Sequence, residues 1–217
     1  GFNHRYHSSI KMAKKIIEKG SYGKILNFRC LYGKSKIVTY EASEWRAKKR
    51  YSGGGILIDQ GIHLLDILIF LNGKFEKVKS FISKKFWNYD VEDNAFALLK
   101  DKKGVIASIH STATQWQHKF RIEICLRNAL IELQGILSST KSYGKESLKI
   151  IKRENKSFKG SSSQKNFFFK KDNSWREEIE EFKKIIKKNL KVKTGNIFDA
   201  IESMKLVEKI YNADKRR

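Results

Sequence analysis

The chain has 217 residues, 40% of them hydrophobic, which is ample for one α+β domain with a real core and argues against a disordered chain. Lys and Arg number 46 against 23 Asp and Glu, a formal charge of +23. The surplus is overwhelmingly Lys spread through almost every segment, not Arg clustered with aromatics on one element, so a nucleic-acid role is disfavoured.

Abundant Lys, Ile, Asn and Phe with no Pro has the look of an AT-rich genome. In chain order, Ser8 or Ser9 is placed to cap a helix carrying Ile10, Ala13 and Ile17 on one face, with Gly20 as its stop. Residues 25–32 alternate as a strand, and 34–52 are polar and irregular. From Ile56 to Leu71 the run is apolar nearly all round, the pattern of a helix buried on every side, and Asn72-Gly73 ends it. Strand-like runs follow at 77–86, 94–99, 105–112, 120–126, 129–133 and 148–152, with hairpin turns at Asp101-Lys102-Lys103-Gly104 and Arg127-Asn128. Residues 153–172 read as a mobile loop and a short strand around Phe167-Phe168-Phe169, whose flanking lysines discourage edge pairing. Ser174-Trp175-Arg176-Glu177 has the form of a capping box before a helix with Trp175, Ile179, Phe182 and Ile186 on one face. A last helix follows Asn196, with Ile197, Ile201, Met204 and Tyr211 as its apolar stripe. The expected fold is α+β: a large, mostly antiparallel, open-faced sheet with helices packed on one face.

Function is concentrated in Gly53-Gly54-Gly55-Ile56-Leu57-Ile58-Asp59-Gln60-Gly61-Ile62-His63-Leu64-Leu65-Asp66. Asp59, His63 and Asp66 interrupt the apolar helix at i, i+4 and i+7, one stripe of its surface. Burying polar groups is costly unless they are paired or face a site. A carboxylate one turn from an imidazole can orient the ring and raise its pKa, preparing it to carry a proton near neutral pH. The glycine triplet lets backbone or a ligand approach the first turn closely.

This Gly-Gly-Gly-x-Leu-x-Asp-x-Gly-x-His-x-x-Asp pattern resembles the signature of the Gfo/Idh/MocA oxidoreductases. Gly1-Phe2-Asn3-His4-Arg5-Tyr6-His7 is similar to the family segment leaving the dinucleotide domain, and Trp45-Arg46 and residues 20–25 sit in family order. The resemblance implies that His63 is the acid/base on the substrate hydroxyl, assisted by Asp59. It implies an NAD- or NADP-dependent enzyme acting on a sugar, nucleotide-sugar or polyol, in a surface-glycan precursor pathway. The family's catalytic Lys in a Glu-Lys-Pro segment has no counterpart, and no Gly-x-Gly-x-x-Gly unit is present. Residues 1–217 therefore read as a single C-terminal substrate-binding and oligomerisation domain, with 1–7 a remnant of the junction to an absent Rossmann domain. The open sheet face is expected to pair subunits into a homo-oligomer. NAD or NADP enters only with the missing domain, beside Asn3, Gly54 and Gly55.

Expected substrate contacts are Arg5 and Arg46, whose planar forks suit a phosphate or carboxylate, with Trp45, Trp116 and His118. The 111–118 segment mixes aromatic and hydrogen-bonding groups in the manner of sugar sites. His4-x-x-His7 lacks further ligands at metal spacing, so no metal is expected. Cys30 and Cys125, without Cys-x-x-Cys spacing, are expected to be reduced and buried in a cytoplasmic protein. No transmembrane span or signal peptide is expected; 56–71 is short and carries two Asp and a His. Two alternatives remain: a non-catalytic or degenerate remnant that binds a sugar or a protein, and a basic nucleic-acid-associated protein.

Overall fold

Side chains alternate between the two faces of each strand, and one face of every central strand is apolar, so the strands bury that face together. The computed structural model describes residues 2–37, 41–138, 141–154 and 163–215. Its strands are β1 (Ile25–Gly33), β2 (Lys77–Ser83), β3 (Asn94–Lys100), β4 (Ile106–Thr112), β5 (Lys119–Leu126), β6 (Ala129–Gln134), β7 (Glu146–Lys152) and β8 (Gln164–Phe169). They form one sheet in the order β2-β3-β4-β1-β5-β6-β7-β8. Every neighbouring pair is antiparallel except β1 with β4. The helices are α1 (Ser8–Lys19), the short α2 (Lys49–Ser52), α3 (Ile62–Asn72), α4 (Ser174–Lys187) and α5 (Ile197–Lys215). The fold is thus α+β with an open sheet, as the alternation implies. Most of the loop expected after Arg153 lies outside the described residues.

Phe28, Tyr32, Ile109, Phe120, Ile122, Ile124, Ile131, Leu133 and Leu148 of the sheet pack on Ile10 and Ala13 of α1 and on Leu64, Leu65 and Leu68 of α3. Gly61 brings the start of α3 close to the sheet, since a Cβ there would lie 2.9 Å from Ser111 Oγ. The stretch Lys49–Asn72 is long and apolar enough to cross a bilayer by composition alone. Its most apolar window is 67% buried inside the domain, as a core helix would be.

The other sheet face is open and falls into two zones. Leu26, Phe81, Phe96, Leu98 and Ile106 make an exposed apolar zone over β1 to β4. Across β1, β5, β6 and β7 runs a charge ladder in which Arg29 pairs with Glu123 at 2.8 Å and Lys149 with Glu132 at 2.9 Å, Arg121 lying between the two glutamates.

Several local expectations are corrected by tertiary partners. Neither Ser8 nor Ser9 caps α1; His7 is the N-cap, and the Ser9 amide donates to Glu146 Oε1 of β7 at 2.7 Å. Ser174 is the first residue of α4 and not its cap, and the Glu177 carboxylate turns to Lys11. Asn196 does cap α5, its Oδ1 accepting from the amides of Phe198 and Asp199. The core-facing side of α5 is Leu206, Val207 and Ile210, whereas Ile197, Ile201 and Met204 of the expected stripe are exposed. Trp175, Ile179, Phe182 and Ile186 of α4 are exposed as well. Cys30 is buried, but Cys125 is only half-buried because it faces the open side; both are free thiols.

Candidate functional site

The start of α3 is built by the glycine segment. Gly55 N and Leu57 N donate to the two oxygens of Glu92 at 2.8 and 3.0 Å, and Tyr211 O–H donates to the same carboxylate at 2.8 Å. One buried carboxylate thus serves the orphan amides of a helix start. A Cβ at Gly54 would lie 2.1 Å from Tyr211 Oη, and one at Gly55 would lie 2.1 Å from the Glu92 carbonyl. The close approach that these glycines permit is therefore to the chain's own side chain and backbone.

A π turn at Leu57–Gly61 precedes α3 and slips its phase. Asp59, His63 and Asp66 consequently do not share partners. Asp66 is fully buried and takes Arg5 in a fork, Nε to Oδ2 at 2.8 Å and Nη2 to Oδ1 at 2.6 Å. Arg5 Nη1 reaches Asp199 Oδ2 at 2.8 Å. Arg5 is 6% exposed, so its guanidinium ties the opening turn (Asn3–Tyr6) to α3 and α5 and has no face left for a substrate anion.

His63 faces the other way, onto that opening turn. Its ring stacks on His4 with centroids 4.1 Å apart and planes 11° apart, and Phe2 meets its edge. His4 donates from Nδ1 to Asn3 Oδ1 at 3.1 Å, because that oxygen can only accept, and then accepts from Tyr32 O–H at 3.0 Å. Asn3 Nδ2 donates to Ser174 Oγ at 3.3 Å, so Asn3 braces His4 and α4. Burial pushes the His63 imidazole down to about 4, against the pull of Asp59, and holds His4 well below the usual histidine range. The expected upward shift is reversed because desolvation of the cation outweighs one nearby carboxylate. His63 is thus a neutral base. Its Nδ1 is buried with no hydrogen-bond partner.

Asp59 does not hold His63 in this arrangement. Its Oδ2 accepts from Lys34 Nζ at 2.7 Å, and its Oδ1 lies 3.5 Å from Arg46 Nε. Arg46 stacks on Trp45 at 5.4 Å, both half exposed beside Asp59. His118 reaches the same neighbourhood from beyond β4. It bonds Ser35 and Ser142 and tilts against Tyr143, which accepts from Gln60 Nε2 in the π turn. Tyr143 is pushed up to about 12 by burial, with Asp59 adding to the rise. Trp116, 62% exposed, packs instead on Phe86 in a cluster with Trp87 and Tyr89, away from His63.

Trp45, Arg46, Asp59, His63 and His118 are therefore gathered at one end of the central strands, while Arg5 and Trp116 serve elsewhere. Lys34, His4, Tyr32, Gln60 and Tyr143 also belong to this cluster. Lys34 directly follows β1, and the end of a central strand was the signal that could have found it. His7, the other half of the opening histidine pair, bonds Glu146 at 3.0 Å. Among the described residues no group of three or more His, Cys, Asp or Glu is arranged to hold a metal ion.

Residues 10–132 match the family model described as the GFO/IDH/MocA C-terminal domain, and the chain belongs to this family. Over 83 residues, 38% of this chain and 21% of the relative, it is 35% identical to levoglucosan dehydrogenase of Pseudarthrobacter phenanthrenivorans. A levoglucosan dehydrogenase structure with NADH and levoglucosan superposes with a TM-score of 0.81 at 19% identity, covering 100% of this chain and 64% of that one. Aldose-aldose oxidoreductase of Caulobacter crescentus gives 0.79 at 18%, covering 99% and 61%. The WlbA dehydrogenase of Bordetella pertussis, in complex with NADH and UDP-GlcNAcA, gives 0.75 at 18%, covering 100% and 60%. The chain thus spans less than two thirds of the length of these solved relatives.

Proposed function

We propose that the chain is the substrate-side domain of an NAD(P)-dependent oxidoreductase that acts on a hydroxyl of a sugar, nucleotide-linked sugar or polyol. The observation that carries this reading is His63: a neutral imidazole held face to face by His4, with one nitrogen unengaged beside a cluster of polar side chains. A neutral imidazole can take the hydroxyl proton as the carbon is oxidised, and return it in the reverse direction. Family membership and the ligands of its structural neighbours, levoglucosan and UDP-GlcNAcA among them, support a sugar hydroxyl as the target.

Trp45, Arg46 and His118 are assigned to the substrate. Arg46 keeps most of its guanidinium free and suits an anionic substituent, such as the phosphate of a nucleotide-linked sugar. This supports a role in making a surface-glycan precursor in the cytoplasm. The reaction class calls for a nicotinamide dinucleotide. Asn3, Gly54 and Gly55 are taken up by contacts within the chain and do not fit one, so the NAD or NADP site is assigned to a further domain. The apolar zone of the open sheet face is assigned to pairing of subunits.

The test is His63→Ala in an assembly that includes a dinucleotide domain, assayed on sugars and nucleotide sugars. Turnover should fall by roughly 10²–10⁴-fold with KM changed by less than about threefold. An unchanged kcat removes His63 from the reaction.

A further inference from the structure

We infer that Lys34 is a positioning residue of the His63 site: its ammonium keeps the Asp59 carboxylate turned away from the His63 ring, so that the imidazole stands free as a base. The inference rests on the reading of His63 as a proton acceptor and names a residue that this reading does not require.

Lys34 is fixed by backbone before its side chain is considered. It directly follows β1, its amide donates to the Thr112 carbonyl at 2.9 Å, and its own carbonyl accepts from Gln115 N at 3.0 Å. The side chain then enters the cluster, where Nζ donates to Asp59 Oδ2 at 2.7 Å and to the Ile37 carbonyl at 3.3 Å. The Lys34 and Asp59 side chains are 13% and 17% exposed, so the pair is far less screened than a surface ion pair. With Arg46 on Oδ1, a cation sits on each oxygen of Asp59. The carboxylate one turn before His63 is thereby occupied, and His63 Nδ1 has no partner although it is buried.

Among the described residues, the charged and titratable groups around the His63 ring are Asp59 on its own helix segment, His4 from the opening turn and Tyr32 from β1, with Lys34 and Arg46 acting through Asp59. Without the Lys34 charge, Asp59 keeps only the longer contact to half-exposed Arg46. A carboxylate released one turn from an imidazole favours the imidazolium. A protonated ring cannot accept the proton of a hydroxyl, so Lys34 maintains the form of His63 that the proposed reaction needs.

The experiment is a heteronuclear NMR titration of the His63 ring in this 217-residue chain, which needs neither substrate nor dinucleotide. Lys34→Met should raise the His63 midpoint by about one pH unit, and Lys34→Arg, which keeps the cation, should restore it. In an Asp59→Asn background Lys34→Met should leave the midpoint in place. An unmoved midpoint in folded Lys34→Met with Asp59 intact overturns the inference. Should Lys34→Met lose its native amide spectrum, Lys34→Gln reads the same shift while keeping a donor toward Asp59. Failure to find any sugar turnover would count against the proposed oxidoreductase and leave this titration standing.

Discussion

The imidazole rings of His4 and His63 lie parallel, 4.1 Å between centroids, although one belongs to the opening turn and the other to α3. His4 is locked at both nitrogens, by Asn3 and Tyr32, so it acts as a fixed plate against which His63 is oriented. Replacing His4 by Ala should leave the fold in place but free the His63 ring. Displacement of a proton-transfer group by about 1 Å can cost on the order of 100-fold. Turnover should therefore fall roughly 10–100-fold while substrate affinity changes little, a split read from kcat and KM.

Buried His4 and half-buried His63, both kept neutral, give the fold a pH dependence of known sign. The unfolded rings take up a proton near pH 6.5, whereas burial of His63 and His4 holds their folded pKa values below that. The unfolded state therefore binds more protons as pH falls below about 6.5, and stability declines with it. Thermal unfolding should come roughly 5 °C earlier at pH 5 than at pH 7, and His4→Gln should flatten the slope. A midpoint that stays constant from pH 7 to pH 5 would contradict the desolvation of the two rings.

At more acid pH a second loss follows. Burial works to raise the Glu146 carboxyl, but the His7 ring and the Ser9 amide override it and hold it below its ordinary range. Its contribution is present above the unfolded carboxyl pKa near 4.3 and disappears as pH falls through the depressed folded value. Glu146→Gln should remove this further drop below about pH 4.5 in a series of urea melts.

Arg5 is the structural centre of the opening turn. Cutting one partner from a buried ion pair typically costs about 3–5 kcal/mol, so Arg5→Met or Asp66→Leu alone should destabilise strongly in urea unfolding. The double replacement should recover much of that loss, since it leaves no buried charge unpaired. A mild effect of Arg5→Met would instead return its guanidinium to solvent or ligand.

Subunit pairing through the open sheet is tested at its apolar zone. Phe96→Lys with Leu98→Lys should shift the chain toward monomer in light scattering coupled to gel filtration, without change in circular dichroism, because both side chains already face outward.

Much of the sheet was legible because alternation is a local signal: the expected strands lie within a few residues of β1 to β8, and Gly20 and Gly73 end α1 and α3 as read. The failures share one cause, a partner distant in sequence. No local rule could announce that Glu146 would serve the first turn of α1, or that Asp199 and Asp66 would claim Arg5. The apolar stripe of α5 was misread because Leu206, Val207 and Ile210 face the core and Ile197, Ile201 and Met204 do not. Within the site the histidine was evident. Its stacking partner and the cation on Asp59 were not, since His4 and Lys34 come from other elements.

β1 lies at the middle of the sheet, yet both of its neighbours, parallel β4 and antiparallel β5, are made by chain that comes after α3. No hairpin can form early around it, and its pairing waits for a long loop to close, the kind of non-local step that makes folding slow. The wall behind His63 includes Tyr32 of that same strand. On a ribosome, then, the base and its surroundings come into register only after Leu126 has emerged, and a nascent chain halted earlier would carry His63 without a pocket to hold it.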